Sequence, residues 1–158
     1  MPRAGPELFP GMTDSVISVT NTTIMASIFT KIINGEIPCY KIAENDRFFS
    51  FLDINPVSRG HTLVIPKKET DYLFDLEDRE LADLMVFAKS VARAIDSALS
   101  PMRTGVIVDG REVPHAHVHL IPIFKDEQKT ALGHKVDVSG EEMERIAAQI
   151  AKAWEPSP

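Results

Sequence analysis

Val113-Pro114-His115-Ala116-His117-Val118-His119-Leu120-Ile121 places three of the chain's five histidines at strict period two. In an extended strand alternate side chains share a face. The spacing therefore predicts a strand over 115–123, with His115, His117 and His119 on one side and Ala116, Val118 and Leu120 turned into a core on the other. Three chemistries fit such a stripe. It can be a solvated polar face. It can be a metal site, since His-x-His on a strand offers two ligands to one ion. Against that, alternate residues stand about 6.5–7 Å apart, and Leu120-Ile121-Pro122 adds no further ligand. Or it can be a nucleophile with helpers. A neutral imidazole attacks well near pH 7 when its other ring nitrogen keeps the proton, and neighbouring imidazoles can bind an oxyanion.

Outward from the stripe, the pattern is that of an α+β domain. Ser27 is a natural N-cap for a short helix over Ile28–Ile33, stopped by Asn34-Gly35. Residues 40–44 and 47–53 read as a hairpin around Asn45-Asp46. His61-Thr62-Leu63-Val64-Ile65 forms the next strand, ended by Pro66. Leu81, Leu84, Met85, Ala88, Val91, Ile95, Ala98 and Leu99 make the apolar stripe of a long helix over 77–99. Gly105 to Asp109 is a further strand. Ser139 and Glu142 form a capping box ahead of a final helix over 141–154. Strands grouped around one long helix predict a mainly antiparallel sheet.

Composition narrows the class. The chain has 158 residues, 44% of them hydrophobic and 25% charged, with a net charge of −6. That suits one domain and leaves no basic footprint for nucleic acid. One cysteine, Cys39, excludes an internal disulfide framework and suits a reducing compartment, so a cytoplasmic location is expected. No apolar run reaches the roughly 20 residues that span a membrane. Residues 1–24, rich in Pro, Gly, Ser and Thr, are expected to be a flexible tail ahead of a domain at 25–156.

His115-x-His117-x-His119-Leu120-Ile121 resembles the signature of the histidine triad (HIT) superfamily. Residues 27–38, Leu52-Asp53-Ile54-Asn55-Pro56 and Gly60-His61-Thr62-Leu63-Val64-Ile65-Pro66-Lys67-Lys68 resemble its amino-terminal helix and its nucleotide-binding strands. The likeness runs over about 27–125 and is nearest to the small nucleotide-binding branch. It implies a homodimer that binds an AMP-like purine nucleotide, with no cofactor. The reaction it implies is cleavage of a nucleoside 5′-phosphoramidate at the α-phosphorus, through a nucleotidyl-histidine intermediate, to a nucleoside monophosphate. Dinucleoside polyphosphate hydrolysis and a nucleotide-binding module with little turnover are the alternatives.

By the same resemblance His117 is the nucleophile and His119 holds the phosphate oxygens. His115 orients His117 through its carbonyl, and His61 is a fourth histidine near the phosphate. Asp53 would take the ribose hydroxyls. Ile28, Phe29, Ile32, Leu52, Ile54 and Leu63 would wall the base. The chain departs from the family in the loop before the triad. Asp109 stands for Asn, Arg111 for Gln, and Glu112 for Ser or Thr. Arg111 is expected to supply a phosphate contact. Some bacterial relatives carry Cys-x-x-Cys as half of a zinc site; Ser27 and Thr30 stand there, so no metal is expected. A chain beginning at Met25 should fold with the circular dichroism spectrum and melting temperature of the full chain, and its failure to fold would refute the domain boundary.

Overall fold

The computed structural model describes residues 26–157; the tail expected at 1–24 lies outside them. Helix α1 spans Ile28–Ile33, and the Ser27 hydroxyl caps it by accepting from the Thr30 amide. Strands β1 (Lys41–Glu44) and β2 (Phe48–Leu52) form the expected hairpin, with the Asn45 side chain accepting from the amides of Arg47 and Phe48. Strand β3 is Thr62–Pro66, helix α2 Asp78–Leu99, strand β4 Arg103–Ile107, strand β5 Val118–Ile123 and helix α3 Gly140–Ala153. A single 3-10 turn, Leu73–Asp75, precedes α2.

The five strands form one sheet in the order β1-β2-β3-β5-β4, antiparallel throughout. Both faces are covered, which is why every residue of β2 and β3 is buried. On one face Phe48, Leu52, Val64, Val118 and Leu120 pack against Leu84, Val91 and Ile95 of α2 and Ile146 and Ile150 of α3. On the other, Phe49, Phe51, Leu63 and Ile65 meet Phe29 of α1. His119 pairs with Leu63 in register, and the neighbouring Val118 with Val64. Alternation therefore puts His119 on the α1 face and Val118 in the larger core.

Four local expectations are corrected. The triad strand starts at Val118, not His115. Pro114 has no N–H, the His115 amide turns back to the Val113 carbonyl (2.8 Å), and the Ala116 amide reaches Thr70 O (2.7 Å) outside the sheet. His115 and His117 thus keep the alternation without the ladder. Strand β4 lies two residues earlier than expected, so Val108 and Asp109 belong to the loop. Pro66 is the last residue of β3, because only a hydrogen-bond donor is missing there and its ladder partner Phe48 is the first residue of β2. In α2 the buried stripe includes Phe87 and leaves Met85 exposed, a rotation set by packing on the sheet and on Trp154.

One glycine is required by space. Gly60 sits at φ 88°, and a Cβ there would collide with the Leu99 side chain. It brings the end of α2 against the turn that aims His61. Ile95 is fully buried between helix and sheet; Ile95→Ala should lower the unfolding free energy by about 2–5 kcal/mol in urea titrations, whereas a loss near zero would contradict this core.

Candidate functional site

The three triad imidazoles are each held in a definite tautomer by a backbone or side-chain partner. His115 is buried, with Nε2 2.7 Å from Pro66 O and Nδ1 2.7 Å from the Ser27 hydroxyl. A carbonyl only accepts, so Nε2 carries the proton and the Ser27 O–H donates to Nδ1. The carbonyl of His115 in turn accepts from Nδ1 of His117 at 2.7 Å. In the neutral ring this leaves the lone pair of His117 on Nε2. Phe29 braces both rings edge-on, with centroids 5.7 Å from His115 and 5.2 Å from His117.

A second chain of bonds fixes His119. The Val57 amide donates to Nδ1 of His61 at 3.0 Å, so the proton of neutral His61 sits on Nε2. That nitrogen lies 2.9 Å from Nδ1 of His119 and donates to it. The proton of His119 is then on Nε2, which is buried and has no protein partner among the described residues. A polar N–H kept out of water without a partner is costly. It points to an acceptor supplied by a ligand. Burial pushes the pKa of His119 down to about 3, helped by His117 and His61 and opposed by Asp109. Burial also lowers those of His61 and His115. All three are neutral at pH 7.

Asp53 follows β2, its amide bonded to the His61 carbonyl at 2.9 Å. Its Oδ1 accepts from the Asn55 amide at 2.8 Å, while Oδ2 stands 3.5 Å from His61 Nε2. Together Asp53, His61 and His119 present three donor atoms close enough for one cation. His61 is unsuited to that role. Its Nε2 already holds a proton, and moving that proton to Nδ1 would set it against the Val57 N–H. The Ser27 and Thr30 pair fits no better. Ser27 Oγ and Thr30 Oγ1 lie 3.3 Å apart and are hydroxyls, and the Ser27 proton is committed to His115.

A cavity of about 170 Å³ opens in front of His117 and His119. Ile28, Phe29 and Ile32 of α1 form one wall, and Leu52, Ile54 and Leu63 the other, with Asp53 at the mouth. Each was singled out in the sequence. Residues that sequence reasoning missed also line it: Ile37, Pro38, Cys39 and Phe51 deepen the apolar slot, and Asn55, Glu112 and Val113 edge it. The Ile37-Pro38-Cys39 stretch carried a signal, being the apolar continuation of the α1 segment, but no periodicity marks it. His115 stands behind the cavity and His61 beside it, in an adjoining one. Asp109 and Arg111 do not line it. Arg111 is exposed and clamps Asp109 through Nε (2.7 Å) and a terminal nitrogen (2.8 Å). That clamp holds the Asp109 carboxyl down at about 2. Arg111, expected to contact phosphate, has its guanidinium paired here with the carboxylate two residues before it.

An alternating histidine stripe leading into a strand, with locked tautomers beside an apolar slot, defines a class of fold, and comparison names it. The HIT domain family profile matches residues 34–126. An adenosine 5′-monophosphoramidase of Schizosaccharomyces pombe is 35% identical over 129 residues, covering 80% of this chain and 97% of the relative. One of Saccharomyces cerevisiae is 38% identical over 124 residues, covering 78% and 77%. A HIT-like protein of Bartonella henselae involved in cell-cycle regulation superposes with a TM-score of 0.71 at 30% identity, covering 80% of this chain and 95% of that one. A zinc-bound histidine triad protein of Mycobacterium smegmatis gives 0.71 at 28%, covering 82% and 93%. The chain belongs to the HIT family.

The neutral buried histidines make stability depend on acid. Below the ordinary pKa near 6.5 the unfolded chain takes up protons that the folded one refuses, so folding weakens as pH falls. For each such histidine the slope approaches about 1.4 kcal/mol per pH unit. For His119 it persists down to about 3. Urea midpoints should drop steadily from pH 6.5 to pH 4, and more gently in His61→Asn; a flat profile would contradict the assignment of neutral rings.

Proposed function

We propose that this protein hydrolyses a purine nucleoside 5′-phosphoramidate through a covalent adduct on His117. The observation that carries the reading is the bond from His117 Nδ1 to the His115 carbonyl, which leaves Nε2 as the free nucleophilic nitrogen beside the cavity. The two phosphoramidase-named relatives support the same chemistry.

The base enters the slot between α1 and Leu63, and the ribose hydroxyls meet Asp53. His117 Nε2 forms a bond to the α-phosphorus as the P–N bond breaks, its electron pair leaving with the nitrogen, which takes a proton from water. The adduct is an imidazolium that keeps Nδ1–H on the His115 carbonyl. His119 Nε2–H satisfies its missing acceptor on a phosphoryl oxygen and stabilises the charge that grows there. Water then forms the new P–O bond, and the P–N electron pair returns to His117. The products are a nucleoside monophosphate, the amine and a regenerated ring, with no step requiring a metal. Glu112, at the edge of the cavity, favours an amine over a polyphosphate as leaving group.

A homodimer is part of the same proposal. Strand β4 ends the sheet with one edge unpaired among the described residues. Met102, Val106 and Val108 are exposed beside it.

Adenosine 5′-phosphoramidate should be cleaved to AMP by the wild type with or without chelator. His117→Asn should lose at least about a thousandfold in turnover while still binding AMP in calorimetry. Undiminished turnover in that variant, or activity abolished by chelator, would overturn the mechanism.

A further inference from the structure

Ser27 does not line the nucleotide cavity, yet it is buried and each of its polar groups is engaged. Its amide donates to the Glu69 carboxylate, and its carbonyl accepts from the Lys31 amide at 3.2 Å. Its Oγ accepts from the Thr30 amide at 3.0 Å. The hydroxyl proton then has two acceptors in range, Nδ1 of His115 at 2.7 Å and Thr30 Oγ1 at 3.3 Å. The shorter bond, to the nitrogen lone pair, takes it. A helix cap needs only the acceptor half of a hydroxyl. The donor half of Ser27 goes to the triad.

That bond matters because the His115 backbone lies outside the sheet ladder, which begins at Val118. The carbonyl that accepts from His117 Nδ1 is instead placed by neighbours on segment 66–70. Thr70 O takes the Ala116 amide of the same peptide at 2.7 Å, and Pro66 O takes His115 Nε2 at 2.7 Å. Glu69, between them, takes the Ser27 amide, so Ser27 closes a cycle of bonds through the His115 ring. One hydrogen bond fixes the position of a ring edge, and a second on the opposite edge fixes its tilt. Without the Ser27 donor, Nδ1 of a fully buried ring is left without a partner. The ring is then held at Pro66 alone, and the carbonyl beside it is released to move.

We propose that Ser27 is a positioning residue for the reaction at His117, acting through the His115 ring and carbonyl. The proposal rests on the phosphoramidase reading and adds to it a residue outside the cavity that sets the turnover. Because Ser27 touches no part of the slot, its hydroxyl governs the aim of His117 Nε2 and not the affinity for the nucleotide.

The test separates the two halves of the hydroxyl. Glycine at an N-cap costs a helix far less than alanine, so Ser27→Gly removes the donor and spares α1, whereas Ser27→Thr keeps cap and donor. With adenosine 5′-phosphoramidate, Ser27→Gly should lower kcat by about tenfold to a hundredfold, the loss that a displaced nucleophile brings, and Ser27→Thr should stay within about threefold of the wild type. The Kd of AMP in calorimetry, which reads the α1 wall of the slot, should change by less than about twofold in both. In nitrogen-15-labelled protein the His117 Nδ1–H should give a downfield proton signal that exchanges slowly in the wild type and in Ser27→Thr and is lost to exchange in Ser27→Gly. Should Ser27→Gly not fold, Ser27→Ala is the second variant without a donor and is read the same way. Full kcat in the variant without a donor, a loss that Ser27→Thr shares, or a matching loss of AMP affinity would overturn the proposal. If the wild type cleaves no phosphoramidate, it is the phosphoramidase reading that fails, and the His117 signal still decides the role of Ser27. Its loss in Ser27→Gly and return in Ser27→Thr support that role, and its persistence in Ser27→Gly sinks it.

Discussion

The bond from His117 Nδ1–H to the carbonyl two residues before it is the constraint on which the site depends. It costs one peptide carbonyl that a regular strand would have given to its neighbour, and here Pro114 and the turn at His115 keep that carbonyl out of the ladder. The His115 ring is then tied at both nitrogens, to Pro66 at the end of β3 and to Ser27 at the start of α1. One residue thereby joins the segment that carries His117, the strand β3 and the helix that walls the slot. Because these bonds are buried and have no water to fall back on, breaking one leaves an orphaned polar atom. Rigidity at His117 follows from that penalty.

The second network runs the other way, from a backbone donor inward. The Val57 amide sets His61, and His61 sets His119, so that the outermost proton lies on a nitrogen without a protein partner. Burial keeps these rings neutral, which lets the chain of donors and acceptors keep one direction. A proton added to Nδ1 of His61 or His119 would face the N–H that now donates there, so an anionic ligand meets the His119 Nε2–H with both bonds intact only while the rings are neutral. The acidity of the whole chain does not oppose such a ligand, since the groups facing it are neutral donors fixed in place.

Much of this was legible in the sequence, for definite reasons. Period two in 115–119 put the histidines on one side because alternation survives even where the ladder stops at Val118. Ser27 and Ser139 were readable as caps because a cap uses only local atoms, and both accept the amide three residues on. The apolar residues of the slot were readable through the family likeness and stand together in the structure. The pairing of Arg111 with Asp109 was not, because it depends on where the loop sends the side chain. Lys135 was not readable either. It lies about 16 residues beyond His119 by sequence count, in a segment without periodicity, and the fold sets it with His61 in the lining of one cavity beside the slot.

The amino-acid sequence by itself determined the alternation, the helix stripe, the caps and the identity of the reactive groups, since each is a matter of spacing along one segment. The tertiary structure alone decided which nitrogen of His115, His61 and His119 holds the proton. The deciding atoms are Pro66 O, the Ser27 hydroxyl, the Val57 amide and the paired His61 ring, contributed by elements distant in sequence from the triad. It also decided that Glu112 and Lys135 share a cavity while Arg111 turns away. The physical reason is that hydrogen bonds are directional and short-ranged, so their partners are chosen by packing and not by order along the chain.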